Sequence, residues 1–267
     1  MFSSLRAALV ALVPICGLLA ISGPANSAVN LVVNGDFEQE TVNGVTGTNL
    51  GSYEFGHSYT TGGTAYNVAV TGWATTGYNF LFNAGTADAA GATGEYGNLK
   101  LWGPNDGSAN GMPASSPTGG SFVAADGAFG IQPITQSIGG LTVGNLYQLT
   151  FWWAAAQQSG FDGTTTENWT VGFGGQSFMT STVNNANHGF VPWTQVTMFF
   201  TATATTQTLS FLAAGTPNGT PPFSLLDGVS LTAAPEPATW ALMMVGLVGI
   251  VLVSRRRQLA RGTALPG

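Results

Sequence analysis

Hydrophobic and polar residues alternate along short stretches in the middle of the chain, and Gly, Pro or Asn bounds each stretch. Alternation with a period of two is typical of strands that bury one face. The clearest example runs from Leu146 to Trp153. The predicted core faces are Tyr147, Leu149, Phe151 and Trp153 in this strand and Val196, Met198 and Phe200 in a later one.

Short strands separated by turns predict an all-β fold. The predicted strands are residues 30–38, 66–73, 97–102, 121–125, 130–137, 145–156, 168–173, 194–203, 207–213 and 223–231. Their number and spacing favour a two-sheet jelly-roll sandwich over residues 29–232. Asp126-Gly127 predicts a hairpin turn between two of these strands.

The first 28 residues have the layout of a secretory signal peptide. Arg6 precedes an apolar stretch over residues 7–21, and small residues follow it. This order is typical of export through the Sec machinery, with cleavage after Ser27 or Ala28. The single cysteine, Cys16, lies in this segment. The predicted mature chain therefore contains no disulfide.

A second apolar segment lies near the C-terminus. It runs without a charge over the fourteen residues 240–253 and is followed by Arg255, Arg256 and Arg257. A membrane-spanning helix needs roughly 20 apolar residues, with about 17 as a lower limit. We predict such a helix over residues 238–254, with the arginines on the cytoplasmic side. One interpretation of this segment is an ordinary single-span anchor.

The residues before the apolar segment support a second interpretation. Pro235-Glu236-Pro237, two further residues, Trp240-Ala241, a short apolar helix and a basic end resemble the PEP-CTERM sorting signal in its PEPxxWA form. The resemblance implies that residues 233–267 hold a Gram-negative exported protein in the inner membrane until an exosortase cuts near the PEP. It implies delivery to the cell surface or the extracellular matrix. The tail continues to Gly267, which is longer than the usual ending.

The charge of the central region limits its partners. Residues 29–234 contain eleven acidic residues and a single basic one, Lys100. Binding to nucleic acid requires clustered Lys and Arg. The sequence therefore excludes nucleic acid as a partner and favours divalent cations and neutral ligands.

Three segments of the central region resemble the galactose-binding-like β-sandwich. They are residues 30–38, residues 131–132 with 144–151, and residues 226–231. Many carbohydrate-binding modules and bacterial extracellular proteins share this fold. The resemblance implies a jelly roll whose first and last strands meet, with a structural calcium ion near them.

Three carboxylates are the candidate calcium ligands. Asp36 and Glu38 flank Phe37, so in a strand both would project away from the side of Phe37. Asp227 lies in the last predicted strand. Calcium takes roughly six to eight oxygen ligands, and we predict Glu38 and Asp227 among them, with Asp36 as a third candidate. In the alternative interpretation, Asp36 and Asp227 are turn residues that bond nearby backbone N–H groups, and Glu38 is solvated.

Aromatic side chains are the candidate carbohydrate contacts, because an apolar ring with a polar edge suits the face of a sugar. Trp102 ends a predicted strand before the loop 103–107, and Trp152 points away from the core by alternation. We predict that these two bind ligand, and burial is the alternative for each. The Trp residues of the central region are Trp73, Trp102, Trp152, Trp153, Trp169 and Trp193.

Catalytic chemistry has little support in the sequence. His57 and His188 lie in loops without a neighbouring Ser, Cys or Asp motif, so neither a triad nor a zinc site is predicted. A glycosidase would need a carboxylate pair. The acids available for such a pair are interpreted as surface residues: Glu54, Glu95, Asp162 and Glu167.

Three functional hypotheses follow. The first is a noncatalytic exported protein of the cell envelope or its polysaccharide matrix that binds carbohydrate or other matrix components. The second is a structural or adhesive matrix protein without a ligand pocket. The third is a secreted glycoside hydrolase. We favour the first.

Overall fold

The structure, a computed structural model, describes residues 29–234 together with residues 248 and 249. The predicted signal peptide 1–28 and the predicted sorting residues lie outside this range. Of the predicted helix 238–254, only residues 248 and 249 are described, and both are helical. Within the described ranges, no helix has the length and apolar character needed to cross a membrane.

Residues 29–234 form strands and one 3-10 helix, Pro104–Asp106, joined by turns and loops. The strands are β1 (Gln39–Val42), β2 (Val45–Thr48), β3 (Tyr53–Glu54), β4 (Ser58–Thr61), β5 (Thr64–Val70), β6 (Asn79–Phe82), β7 (Ala92–Gly94), β8 (Gly97–Leu99), β9 (Phe122–Asp126), β10 (Ile134–Ile138), β11 (Leu146–Gln157), β12 (Thr165–Phe173), β13 (Gln176–Met179), β14 (Val183–Asn185), β15 (Phe190–Thr201), β16 (Gln207–Thr216) and β17 (Pro222–Ala233).

Two large sheets pack face to face. One has eight strands in the order β15-β11-β17-β9-β6-β3-β7-β8. The other has five, in the order β10-β16-β12-β13 with β14 also paired to β12. A small four-stranded sheet, β2-β1-β5-β4, packs beside them. The predicted all-β sandwich is confirmed.

The main core lies between the two large sheets. Leu149 and Phe151 of β11 meet Trp169 of β12 and Phe211 of β16 there, and all four are fully buried. The buried residues of β11 up to Trp153 alternate as predicted, and so do Met198 and Phe200 of β15. The pattern of the sequence therefore identified the core faces of these long strands.

A second apolar cluster covers the outer face of the eight-stranded sheet. Phe80, Phe122 and Phe223 lie on this face, and Leu101 and Met112 pack over them from the segment between β6 and β9. Because both faces of the central strands are covered, the sequences of these strands are largely apolar without alternation.

Two sequence predictions about backbone structure are wrong. Residues 30–38 form an irregular loop, because Asn34 and Phe37 adopt positive φ angles of 52° and 55° that no strand accommodates. The loop still contacts the last strand, where Leu31 N donates to Leu231 O at 2.9 Å. Asp126-Gly127 is not a hairpin turn, because β9 and β10 belong to different sheets.

Candidate functional site

The predicted calcium ligands Glu38 and Asp227 contact the same loop, residues 116–121, which we call the 116–121 loop. Glu38 Oε1 accepts a hydrogen bond of 2.6 Å from Ser121 N. Asp227 Oδ2 accepts hydrogen bonds from the Ser116 hydroxyl and from Thr118 Oγ1, the latter at 2.5 Å. The structure therefore brings together one carboxylate from each end of the domain.

Asp36 does not join this group. Its side chain is exposed, and it forms no side-chain hydrogen bond within residues 29–234. The positive φ of Phe37 turns the backbone between Asp36 and Glu38. The strand alternation that would have placed both carboxylates on one side is therefore absent.

Burial dominates the electrostatics of Asp227. The residue is fully buried, and its Oδ1 accepts a 2.7 Å hydrogen bond from Gly228 N. Its pKa is raised to about 7, chiefly by burial and in smaller part by the neighbouring Glu38 carboxylate, while its hydrogen bonds with Ser116, Thr118 and Gly228 lower it. The groups that contact Asp227 are two hydroxyls and a backbone N–H group.

Gly120 allows the 116–121 loop to approach the Glu38 carboxylate closely. Its φ is +63°, and a Cβ atom at this position would lie 1.7 Å from Glu38 Oε1. Only glycine permits this approach, because any side chain would displace the carboxylate.

The two predicted ligand-binding tryptophans are half-buried and lie in different places. Trp102 stacks on His188, and its Nε1 donates to Phe161 O at 3.0 Å. Trp152 pairs across the sheet with Asp227 and lies beside Gly228, next to the 116–121 loop. One face of the Trp102 ring is covered by the His188 ring.

Four aromatic side chains line a cavity of about 280 Å³ at one end of the sandwich. Tyr78 precedes β6, Tyr96 lies in the β7–β8 turn, Phe129 follows β9, and Phe161 lies between β11 and β12. We call this cavity the aromatic pocket, with Asp126 at its base. Its volume is close to the lower limit of about 300 Å³ that is usual for ligand sites.

The rings of the aromatic pocket pack against one another but remain open to solvent. Phe129 lies 5.2 Å from Tyr78 and 5.8 Å from Tyr96, measured between ring centroids. Tyr96 is 69% exposed, Phe129 49% and Phe161 37%. Gly130 permits this packing, because a Cβ atom there would lie 2.9 Å from Cβ of Tyr78.

Asp126 positions Phe129 and carries an unpaired polar atom. Its Oδ1 accepts hydrogen bonds of 2.7 Å from Ala128 N and 3.1 Å from Phe129 N. Its Oδ2 is buried and has no partner within the described part of the chain. Burial raises the pKa of Asp126 to about 6.

Sequence reasoning missed this pocket. Its residues come from separate loops, and Asp126 was interpreted only as a turn residue. Two of the acids interpreted as surface residues, Glu54 and Glu167, are in fact buried at 1% and 0% exposure. A useful signal was the high frequency of aromatic residues next to glycine, as in Tyr96-Gly97 and Phe129-Gly130.

A second open groove, of about 620 Å³, lies between β13 and β15. Phe178, Met179 and Phe199 line it, and it contains no charged side chain. Exposed aromatic residues therefore also occur away from the aromatic pocket, where no carboxylate accompanies them.

Comparison with known proteins identifies the C-terminal segment. Residues 233–257 match the family model described as the PEP-CTERM protein-sorting motif. The matched range contains the predicted motif residues from Pro235 to Arg257, so the predicted sorting signal is confirmed. The fold and this motif together define an exported all-β protein that is anchored transiently in a membrane. None of the curated proteins compared with the chain matches it.

Several solved structures share parts of the sandwich at low identity. The enzymatically active domain of bacteriophage CBA120 tailspike protein 4 is 12% identical, with a TM-score of 0.33 over 77% of this chain and 21% of the tailspike. TmCBM61, solved in complex with β-1,4-galactotriose, is 13% identical, with a TM-score of 0.31 over 61% of this chain and 90% of its own.

A third similar structure is the CBM22-2 xylan-binding domain from Paenibacillus barcinonensis. It is 13% identical, with a TM-score of 0.34 over 62% of this chain and 94% of its own. Because all three TM-scores lie below 0.5, the likeness carries no argument about ligand or activity. The chain spans about a fifth of the tailspike domain, 21% of its length.

Proposed function

We propose that the protein is a noncatalytic carbohydrate-binding protein whose ligand site is the aromatic pocket. The observation that carries this proposal is the convergence of exposed Tyr96, Phe129 and Phe161 around a cavity with Asp126 at its base. Sugar rings combine apolar C–H faces with hydroxyl groups. An aromatic wall beside an unpaired carboxylate oxygen offers a partner for each.

The unpaired Oδ2 of Asp126 gives the ligand a specific role. A buried oxygen without a donor loses free energy of about 1–3 kcal/mol relative to one that is hydrogen-bonded. Because Oδ2 itself is buried, a ligand hydroxyl that enters as the lining side chains shift supplies the missing donor, directly or through one water molecule. This accounts for a buried acid among the aromatic residues of the pocket.

The two other hypotheses receive less support. A matrix protein without a pocket has no need for three exposed rings around a buried acid. A glycoside hydrolase needs two carboxyl groups about 5 to 10 Å apart across a cleft. Glu54 and Glu95 are close together, but Glu54 is 1% exposed.

Affinity electrophoresis of the mature protein against a panel of neutral polysaccharides tests the proposal. We expect at least one polysaccharide to retard the wild type and Asp126→Asn to reduce the retardation at least fivefold. Glu40→Gln is the matched control, since Glu40 is also buried with one unpaired oxygen but lies in β1. Equal retardation of Asp126→Asn and the wild type would show that Asp126 does not contribute to carbohydrate binding.

We further propose that a Gram-negative host sorts the protein to its cell surface or extracellular polysaccharide matrix. The PEP-CTERM motif at residues 233–257 supports exosortase processing near Pro235. Mass spectrometry of the protein from host envelope and medium, with and without the exosortase, tests this step. A C-terminus near Pro235 only in the strain with the enzyme supports it. An intact tail in both strains contradicts it and leaves an ordinary anchor.

We also propose that Glu38 and Asp227 bind a structural calcium ion. The donor set fits calcium, because two carboxylates and the hydroxyls of Ser116 and Thr118 are all oxygen ligands. No Lys or Arg in residues 29–234 forms an ion pair with either carboxylate, since Lys100 pairs with Asp106. Calcium would neutralise the buried Asp227 and join the two ends of the domain.

A further inference from the structure

We propose that Glu54, His57 and Glu95 form a binding site for a divalent transition-metal ion of the zinc type. One ligand atom from each side chain lies within 4.8 Å of the other two. His57 Nε2 is 3.4 Å from Glu54 Oε1 and 3.9 Å from Glu95 Oε2. This site involves neither the candidate calcium ligands nor the rings of the aromatic pocket.

The distances suit one shared ion. Zinc binds imidazole nitrogen and carboxylate oxygen at about 2.0–2.2 Å, so two ligands of a tetrahedral site lie about 3.3–3.6 Å apart. The separation of 3.4 Å between His57 and Glu54 falls in this range. The separation of 3.9 Å between His57 Nε2 and Glu95 Oε2 would close with a small rotation of the Glu95 side chain, which is 47% exposed.

The strands hold the ligands in place. Glu54 ends β3, which pairs with β6 and with β7, and its Oε2 accepts a 2.7 Å hydrogen bond from Glu95 N. Glu54 Oε1 is left facing His57. The Tyr59 ring packs 5.8 Å from the His57 ring, and its hydroxyl donates to Thr93 O at 2.6 Å.

The charge at this position calls for a cation. Glu54 is buried at 1% exposure, and within residues 29–234 its ion-pair partner is His57. A buried carboxylate is costly unless it is paired. A divalent ion compensates both carboxylates, which one imidazolium cannot do.

The type of ligand selects the metal. Calcium and magnesium prefer sites made of oxygen alone, whereas imidazole with carboxylate suits zinc and other late divalent metals. Three protein ligands leave a further coordination position open. Because Tyr96 follows Glu95 directly, the ion would also fix the turn that carries Tyr96 at the aromatic pocket.

The chain contains a matched control. His188 Nε2 lies 2.6 Å from Asp162 Oδ1, and the His188 side chain is 30% exposed against 28% for His57. This second pair has one carboxylate only. It is expected to behave as an ordinary hydrogen-bonded pair without metal affinity.

Isothermal titration of the chelator-treated mature protein with Zn²⁺ tests the proposal, and Co²⁺ absorption reports the coordination geometry. We expect binding that His57→Gln and Glu95→Gln each weaken at least tenfold and that His188→Gln leaves unchanged. Glu95 lies in an exposed turn, so Glu95→Gln is expected to fold even if His57→Gln does not; thermal unfolding of each variant checks this.

Three results would overturn the proposal: no Zn²⁺ binding by the wild type, undiminished binding by folded His57→Gln and Glu95→Gln, or loss of binding in His188→Gln. The titration uses the metal alone, so its outcome is independent of carbohydrate binding.

Discussion

The indole ring of Trp102 stacks on the imidazole ring of His188, with ring centroids 3.9 Å apart and an interplanar angle of 28°. The stack covers one face of the tryptophan that the sequence predicted to bind ligand. Trp102 Nε1 also donates a hydrogen bond to the carbonyl oxygen of Phe161, a residue of the aromatic pocket. We therefore infer that Trp102 positions Phe161.

Trp102→Ala should destabilise the protein and weaken carbohydrate binding indirectly. Removal of a half-buried Trp, its stack and its hydrogen bond is expected to lower the free energy of unfolding by about 2–3 kcal/mol. Tyr96→Ala, at a residue that is 69% exposed, should change it by less than about 0.5 kcal/mol. Urea unfolding measures both. Unchanged stability of Trp102→Ala with complete loss of binding would instead make Trp102 a direct ligand contact.

Addition of Ca²⁺ to metal-free protein should raise its melting temperature. At a concentration about 100 times Kd, binding adds about 2.7 kcal/mol to the free energy of unfolding, or about 5–10 °C for a domain of this size. Asp227→Asn should abolish the shift, and Asp36→Asn should retain it, since Asp36 is exposed and lies outside the group. An equal shift in Asp227→Asn and the wild type would refute the assignment of Asp227.

Stability should fall with rising pH because of Glu167. This residue is fully buried in β12, and burial raises its pKa from 4.5 to about 8. Between these two values the folded state keeps a proton that the unfolded state has lost, so the free energy of unfolding decreases as pH increases.

Glu167→Gln removes this titration while keeping the shape of the side chain. Urea unfolding of both proteins at pH 5, 6.5 and 8 gives the difference in stability. We expect the difference to change by up to about 1.4 kcal/mol per pH unit in favour of the variant. A difference that stays constant over this range would show that Glu167 is ionised in the folded state.

The long strands could be predicted from the sequence, and most of the short ones could not. In β11 and β15, many alternating residues share one environment, so their period is clear. β3 has two residues and β7 three, which is too short for a period to show. Their pairing depends on distant partners, and this is why the placement of Glu54 and Glu95 was not foreseen.

The candidate sites divide in the same way. Glu38 and Asp227 were predicted because the two ends of the domain resemble those of the galactose-binding-like β-sandwich. The structure places both at the 116–121 loop. The loop itself was not predicted, because its polar residues carry no periodic pattern. The aromatic pocket and the Glu54–His57–Glu95 group arise only when separate turns meet in the folded chain.

The affinity of two matched variants for a retained polysaccharide tests the central claim most directly. Phe129 in the aromatic pocket is 49% exposed, and Phe178 in the groove between β13 and β15 is 48% exposed. We predict that Phe129→Ala raises Kd at least tenfold, equivalent to about 1.4 kcal/mol, and that Phe178→Ala leaves Kd unchanged. Equal affinity of Phe129→Ala and the wild type, or loss of binding only in Phe178→Ala, would contradict the assignment of the aromatic pocket as the carbohydrate site.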